Sequence, residues 1–251
     1  MGGAWINKMK SLFLFLVFSV FCSFLHAELE TKIVNGLFAV PKDDIKIEYE
    51  IRYFQSTKKQ PGVVLCHPDP RLGGSFNNHI VSAIARELAE KGYFTLKFNF
   101  RGVGKSEGSF AEGKGEQQDI KAALEKLRSF KEVDLKNIYL AGYSFGSAMA
   151  FEVAIQDQKL KAYAGIGYPN DYFRHKASEQ KHGKLPVLMV GGLKDPWCKI
   201  HPLGAAMKKG GFDIRTIAVA GTDHFFTDRK SLDRAVSGVV EFFEAVRKGG
   251  P

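Results

Sequence analysis

The chain has 251 residues, of which 45% are hydrophobic and 25% charged, with a formal net charge of +9. These values are ordinary for one globular domain with a full apolar core, and no linker, repeat or low-complexity stretch divides the sequence. The basic residues are scattered and form no aromatic-studded stripe, so no nucleic-acid partner is expected.

The N-terminal residues have the pattern of a secretory signal peptide. Two lysines precede an unbroken apolar block at residues 12–25, and Ala27 provides a small residue where cleavage is expected. The block is shorter than the roughly 20 apolar residues of a membrane span. We therefore expect residues 1–27 to be a signal peptide and residues 28–251 to be a single domain that is exported to a periplasm or secreted. An uncleaved membrane anchor is the alternative; otherwise, membrane contact is only transient.

Apolar periodicity beyond this segment predicts alternating strands and helices. The predicted strands are TKIVNGLFAV and IKIEYEIRYF as a hairpin, then PGVVLCHP, YFTLKFNFRG, NIYLAGYS, KAYAGIGYP, LPVLMVGGLKDP and FDIRTIAVAG. The predicted helices are NNHIVSAIARELAEKG, EQQDIKAALEKLRSF, FGSAMAFEVAIQ, HPLGAAMKKGG and SLDRAVSGVVEFFEAVRK. The pattern is typical of an α/β fold with a mostly parallel sheet of about eight strands and helices on both faces. In such sheets, ligands bind outside the carboxyl ends of the strands.

A serine flanked by glycines follows the strand NIYLAGYS. Gly142 and Gly146 lie two residues to either side of Ser144, and a helix is predicted to start directly after it. A tight strand-to-helix turn exposes such a hydroxyl, and the helix N-terminus favours developing negative charge. This context indicates a nucleophile. An ordinary helix N-cap is the alternative.

A serine nucleophile needs a base, and the base needs an orienting group. Asp195 follows the strand LPVLMVGG, and His224 follows the last strand, so the chain order is Ser, Asp, His. Asp171, after an earlier strand, competes with Asp195 for the acid role. Asp223 is a poorer candidate because adjacent residues on an extended segment point in opposite directions.

Five landmarks occur in one order: LCHPDPRLGGSFNN, NFRGVGKSEG, GYSFG, GGLKDPW and GTDHFF. Over essentially all of its length after residue 27, the chain resembles the α/β-hydrolases, in particular small lidless serine hydrolases related to dienelactone hydrolases and serine esterases. The resemblance implies that Ser144 is the nucleophile, that His224 is the general base and that Asp195 holds the imidazole in the required tautomer.

The resemblance also implies an oxyanion hole. One donor is expected to be the backbone N–H of Phe145, next to the nucleophile. The other comes from the loop after the third strand, where Asp69 is expected to supply it because Pro70 has no N–H.

The substrate pocket is expected near the strand ends, where several aromatic residues lie. Tyr168, Tyr172, Trp197 and Phe225 are candidates to line an apolar acyl pocket, although Phe225 could equally belong to the core. Only the short segment NDYFRHKASEQKHGK precedes the strand that begins LPVLMV, so we expect no lid over the site.

No metal or cofactor is expected. The sequence has no His, Cys and carboxylate cluster with metal-ligand spacing. The stretch RGVGKSEG ends like a phosphate-binding loop, but Asn99 stands where that motif requires its first glycine, and a structural turn is expected.

Two cysteines remain after residue 27. Cys66 ends the third strand and Cys198 follows the seventh, and in the hydrolase strand order these strands are three spacings, or about 14 Å, apart. This is too far for a disulfide, so two unpaired thiols are expected.

The motifs together predict serine-dependent hydrolysis of a small ester or thioester through an acyl-enzyme. A peptidase or amidase of the same fold is an alternative, and so is a non-catalytic ligand-binding protein on a hydrolase scaffold. The sequence leaves the physiological substrate and the oligomeric state open.

Overall fold

A single eight-stranded sheet organises the protein, whose computed structural model describes residues 31–173 and 185–250. The strands are β1 (Thr31–Val40), β2 (Ile45–Phe54), β3 (Gln60–Cys66), β4 (Phe94–Phe98), β5 (Val133–Tyr143), β6 (Leu160–Ile166), β7 (Pro186–Gly192) and β8 (Asp213–Val219). Their spatial order is β1-β2-β4-β3-β5-β6-β7-β8. Strand β2 runs antiparallel to β4, and every pairing from β4 to β8 is parallel.

The predicted α/β fold class is therefore confirmed. The central strands read as apolar runs because both of their faces are covered; every residue of β3 and β4 is buried. Strand β8 lies at the sheet edge, and most of its residues are exposed or half-buried.

Five helices among the described residues cover the sheet. They are α1 (His79–Glu90), α2 (Lys114–Arg128), α3 (Phe145–Ala154), α4 (Ile200–Lys209) and α5 (Arg229–Arg247). Apolar residues of α2, α3 and α4 belong to one core cluster, and those of α1 and α5 belong to a second. Helices thus pack on both faces, as predicted.

The stretch RGVGKSEG is a structural turn, as predicted. The backbone N–H of Arg101 donates to Asp119, and its guanidinium also binds that buried carboxylate and the carboxylate of Asp43. Ser106 donates to the carbonyl of Asn99 at 2.7 Å. These side chains fix the course of the chain directly after β4.

The two thiols are free and buried, as predicted. Cys66 and Cys198 form no disulfide, and strands β3 and β7 are separated by β5 and β6. Burial raises the pKa of both thiols, that of Cys198 to about 12. Neither is a thiolate nucleophile near neutral pH.

The expected signal peptide, residues 1–27, lies outside the described residues. Within the described residues, no helix combines the length and apolar character that a bilayer span requires.

Candidate active site

The turn between β5 and α3 presents Ser144 with an unusual backbone. Its φ of 54° and ψ of −124° lie outside the regions that non-glycine residues favour. The Ser144 N–H donates to the carbonyl of Ile166 at 2.8 Å, and no side-chain cap bond forms to the helix. Ser144 therefore does not act as an ordinary side-chain N-cap, and strain of this kind concentrates at functional sites.

The glycines two residues on each side of Ser144 are required by close backbone packing. A Cβ atom on Gly142 would lie 2.5 Å from the carbonyl oxygen of Gly146. A Cβ atom on Gly146 would overlap the carbonyl oxygen of His67 at the end of β3. The turn is thus pressed against β3, and only glycine fits at either position.

Three side chains from separate loops meet above this turn. The Nε2 atom of His224 lies 2.9 Å from the Oγ atom of Ser144. The Nδ1 atom of His224 lies 2.7 Å from the Oδ2 atom of Asp195. Because an ionised carboxylate only accepts, Nδ1 carries the ring proton, and Nε2 accepts from the serine hydroxyl. The geometry is that of a base poised to deprotonate an alcohol.

The carboxylate of Asp195 is fixed by backbone donors that the sequence did not reveal. Its Oδ1 atom accepts from the N–H groups of Trp197 and Cys198, each at 2.9 Å, and the residue is 1% exposed. The two competing carboxylates do not take the position of Asp195 beside Nδ1 of His224. Asp171 lines the cleft without contacting His224, and the exposed Asp223 accepts from the N–H of Phe225.

The His224 ring is enclosed by aromatic side chains. Trp197 contacts it edge-on at a centroid distance of 4.9 Å, and Tyr143 lies 5.4 Å away. Gly167 leaves room for the ring, because a Cβ atom there would lie 3.0 Å from Cε1 of His224. The base is 5% exposed, so its contact with water is restricted.

The loop after β3 brings the expected second oxyanion donor to the same cleft. Asp69 and Phe145 both line the cleft beside Ser144, and neither N–H has a hydrogen-bond partner within the described part of the chain. The Asp69 carbonyl accepts from Leu72 and Gly74, which closes the loop into a tight turn. Arg71 binds the Asp69 carboxylate through two nitrogens, at 2.7 and 3.0 Å. The two free N–H groups are suited to receive an oxyanion.

His67 supports this loop and is not a base. Its Nε2 atom accepts from the Phe100 N–H at 2.9 Å, so Nδ1 carries the proton and donates to the Pro68 carbonyl at 2.6 Å. Burial lowers its pKa to about 4. The ring is therefore neutral at pH 7 and holds the start of the oxyanion loop against β4.

A cleft of about 390 Å³ opens over Ser144. Three of the four predicted aromatic residues line it: Tyr172, Trp197 and Phe225 are 39%, 53% and 51% exposed. Phe225 is therefore a cleft residue and not a core residue. The cleft is also lined by Leu72 and His79, neither of which the sequence indicated.

The prediction for Tyr168 is wrong. This side chain is fully buried, and its ring packs edge-on against Phe151 of α3 at 5.9 Å. It follows β6 closely, but it points into the core between the sheet and α3. The part of the expected lid-free segment at residues 174–184 lies outside the described residues.

No group of three or more potential His, Cys, Asp or Glu metal ligands occurs in the described ranges 31–173 and 185–250.

Comparison with known proteins identifies the family. The family model described as an alpha/beta hydrolase domain matches residues 60–245. The chain belongs to the alpha/beta hydrolase family. Protein RP471 of Rickettsia prowazekii is 35% identical to this alpha/beta hydrolase over 184 residues, which cover 70% of this chain and 77% of RP471.

Solved structures agree with this assignment. An alpha-beta serine hydrolase homologue from Coxiella burnetii superposes with a TM-score of 0.68 at 30% identity, covering 86% of this chain and 96% of that one. ATU1826 of Agrobacterium tumefaciens, a protein of unknown function, superposes with a TM-score of 0.73 at 26% identity, covering 86% and 97%. The family match and these two structures confirm the resemblance to the alpha/beta hydrolases seen in the sequence. Further neighbours that share the fold include a serine hydrolase described as having no lid and a dienelactone hydrolase-like phosphotriesterase.

Proposed function

We propose that this alpha/beta hydrolase is a serine esterase that cleaves a small ester or thioester through an acyl-enzyme. The observation that carries the proposal is the continuous hydrogen-bonded path from Asp195 through His224 to Ser144, with distances of 2.7 and 2.9 Å. The family and its serine hydrolase neighbours support the same reaction class.

Acylation begins at the hydroxyl of Ser144. Nε2 of His224 takes the proton while Oγ bonds to the substrate carbonyl carbon, and Asp195 stabilises the imidazolium. The carbonyl oxygen becomes an oxyanion, which the N–H groups of Phe145 and Asp69 receive. The tetrahedral intermediate then expels the alcohol or thiol, which takes the proton from His224.

Deacylation repeats these steps with water. His224 removes a proton from a water molecule, the hydroxide attacks the acyl carbon, and the serine oxygen leaves with the proton returned by His224. The acid product departs, and the site is restored without any external acid or oxidant.

The shape of the cleft favours small substrates with an apolar part. A volume of about 390 Å³ lies at the lower end of small-molecule sites. The exposed rings of Tyr172, Trp197 and Phe225 provide an apolar wall beside the nucleophile. Esters of short to medium acyl chains, or with an aromatic acyl group, fit these dimensions.

The experiment is turnover of p-nitrophenyl esters by wild type and by Ser144→Ala. We expect the variant to keep its circular dichroism spectrum and melting temperature and to lose all turnover above background. Wild-type activity in Ser144→Ala would refute the assignment. Aminoacyl p-nitroanilides, assayed beside the esters, test the alternative that the protein is an amidase. Turnover of the anilides with little turnover of the esters would overturn the proposed ester preference.

We also propose that the protein is exported, with cleavage after Ala27. The support is the sequence of residues 1–27 alone: basic start, apolar block and small-residue exit. N-terminal sequencing of protein from fractionated cells tests the proposal. A mature chain in the exported fraction that begins at Glu28 is expected; an intact N-terminus in the cytoplasmic fraction would overturn it.

A further inference from the structure

The loop that carries His224 follows β8 and contains a strained residue. Phe226 has a φ of 47°, an unfavourable value for a bulky side chain, and its ring is completely buried. A loop in this conformation needs contacts that hold it. On one side the Lys194 N–H donates to the carbonyl of Thr222 at 2.9 Å.

Two side chains bind the next part of the loop through consecutive carbonyl groups. The hydroxyl of Tyr143 donates to the carbonyl oxygen of His224 at 3.0 Å, and this contact is buried. The Nε2 atom of His79 lies 2.9 Å from the carbonyl oxygen of Phe225. The backbone of the base and that of its neighbour are thus fixed from two directions.

The two donors come from the elements that carry the rest of the site. Tyr143 is the last residue of β5 and directly precedes Ser144. His79 is the first residue of α1 and follows the loop that contains Asp69. One bond therefore ties the base to the nucleophile turn, and the other ties it to the oxyanion loop.

The hydroxyl of Tyr143 and Nε2 of His79 each carry the proton that these hydrogen bonds require. Burial, together with the carboxylates of Asp195 and Asp223, raises the pKa of Tyr143 well above its ordinary value, so its hydroxyl keeps its proton. A carbonyl oxygen only accepts, so Nε2 of His79 carries a proton in this contact. The Tyr143 ring also lies 5.4 Å from the His224 ring, at an interplanar angle of 32°.

We infer that Tyr143 and His79 are positioning residues for His224, which fix the general base relative to Ser144 and to the oxyanion loop. The inference rests on the proposed function. Neither side chain takes part in proton transfer; each acts by holding a backbone carbonyl of the histidine loop. Removal of either donor lets the imidazole move away from Ser144 Oγ and Asp195 Oδ2, and small displacements of a base lower the rate of the chemical step.

Tyr143→Phe removes only the hydroxyl group. We expect kcat for p-nitrophenyl esters to fall about tenfold, the equivalent of one buried hydrogen bond, with KM nearly unchanged. Tyr139→Phe is the matched control: Tyr139 lies on the same strand, is buried, and its hydroxyl has no hydrogen-bond partner among the described residues. Its kcat and KM should equal those of wild type.

His79→Ala and His79→Gln separate the bond from the side chain's bulk. We expect kcat to fall about fivefold in the alanine variant and to recover to within about twofold in the glutamine variant, whose amide can donate to Phe225. His201→Ala, on the exposed surface of α4, is the control for loss of a histidine elsewhere.

Fluorophosphonate labelling of Ser144 distinguishes failure of this inference from failure of the proposed function. If wild type is not labelled, the proposed function is wrong, and the inference, which depends on it, is wrong as well. If wild type is labelled, slower labelling of Tyr143→Phe and His79→Ala supports the inference. Labelling and kcat equal to wild type in both variants would overturn it, and so would a lower melting temperature with unchanged kcat.

Discussion

Asp195 contacts His224 through only one of its two carboxylate oxygens. Oδ2 lies 2.7 Å from Nδ1 of the imidazole, while Oδ1 accepts from the backbone N–H groups of Trp197 and Cys198. The two backbone N–H groups hold Oδ1 and thereby turn Oδ2 toward Nδ1 of His224. An acceptor at Oδ2 places the ring proton of His224 on Nδ1 and leaves Nε2 to accept from Ser144.

Asp195→Asn tests this requirement. An amide offers one acceptor and one donor, so it either faces the backbone N–H groups with its NH₂ or forces the wrong tautomer on His224. We expect kcat to fall by about 10³- to 10⁴-fold with a modest change in KM. The control is Asp171→Asn, which changes a carboxylate that also lines the cleft but does not contact His224. Equal losses in the two variants would refute the assignment of the acid.

Gly146→Ala should disrupt the nucleophile turn. The new methyl group would overlap the carbonyl of His67, which is backbone and has no rotamer to adopt. We expect the free energy of unfolding to fall by more than about 2 kcal/mol in urea titrations, with loss of esterase activity. Gly92→Ala is the comparison, since Gly92 has a φ of 81° but open space around it. Gly92→Ala should lower the free energy of unfolding by only about 1–2 kcal/mol, because only the positive φ of the backbone is unfavourable for alanine there. An equal cost at both positions would exclude the close packing at Gly146 as the cause.

Stability should fall in mild acid because of His67. Its folded pKa, lowered by burial to about 4, is below the unfolded value near 6.5, so the unfolded chain binds the proton first. The contribution of the neutral ring to the free energy of unfolding is complete above about pH 6.5 and is lost as the pH falls toward 4. The loss amounts to about 2 kcal/mol at pH 5. His67→Gln keeps an acceptor for the Phe100 N–H but does not titrate. Urea titrations at pH 7.5 and 5 should therefore show a smaller loss in the variant. Equal losses in both proteins would contradict the buried neutral histidine.

The aromatic wall of the cleft predicts acyl-chain selectivity. Phe225→Ala removes a ring that is 51% exposed and lines the cleft, so we expect KM for p-nitrophenyl hexanoate to rise several-fold. KM for the acetate should change little, since a methyl group is too short to contact the ring. Leu135→Ala removes a similarly exposed apolar side chain that does not line the cleft, and it should affect neither substrate. A uniform change for both esters in Phe225→Ala would refute an acyl-binding role.

The sequence predicted the parts of the site that depend on local order along the chain. Ser144, Asp195 and His224 each follow a strand, and parallel strands bring their carboxyl ends to one edge, so the geometry could be expected from the topology. The role of the glycines around Ser144 could also be predicted, because a tight turn leaves no room for side chains at these positions. The absence of a disulfide between Cys66 and Cys198 could be predicted from the strand order alone.

Other features depend on contacts that no local pattern encodes. The direction of Tyr168 after β6 is set by packing against Phe151, which a strand-end position does not reveal. The bond from His79 to Phe225 joins residues 146 positions apart. The backbone N–H groups that hold Asp195 are positioned by the conformation of the following turn. Since almost every residue type has a backbone N–H, the sequence does not indicate which of these groups bind the carboxylate.

The proposed reaction requires that Ser144 becomes acylated during turnover. The most direct measurement is mass spectrometry of protein quenched in acid within milliseconds of mixing with p-nitrophenyl ester, followed by peptide mapping. We expect a mass increase equal to one acyl group on the peptide that contains Ser144, appearing together with a burst of p-nitrophenolate. Turnover without any acylated peptide, or acylation at another residue, would contradict it.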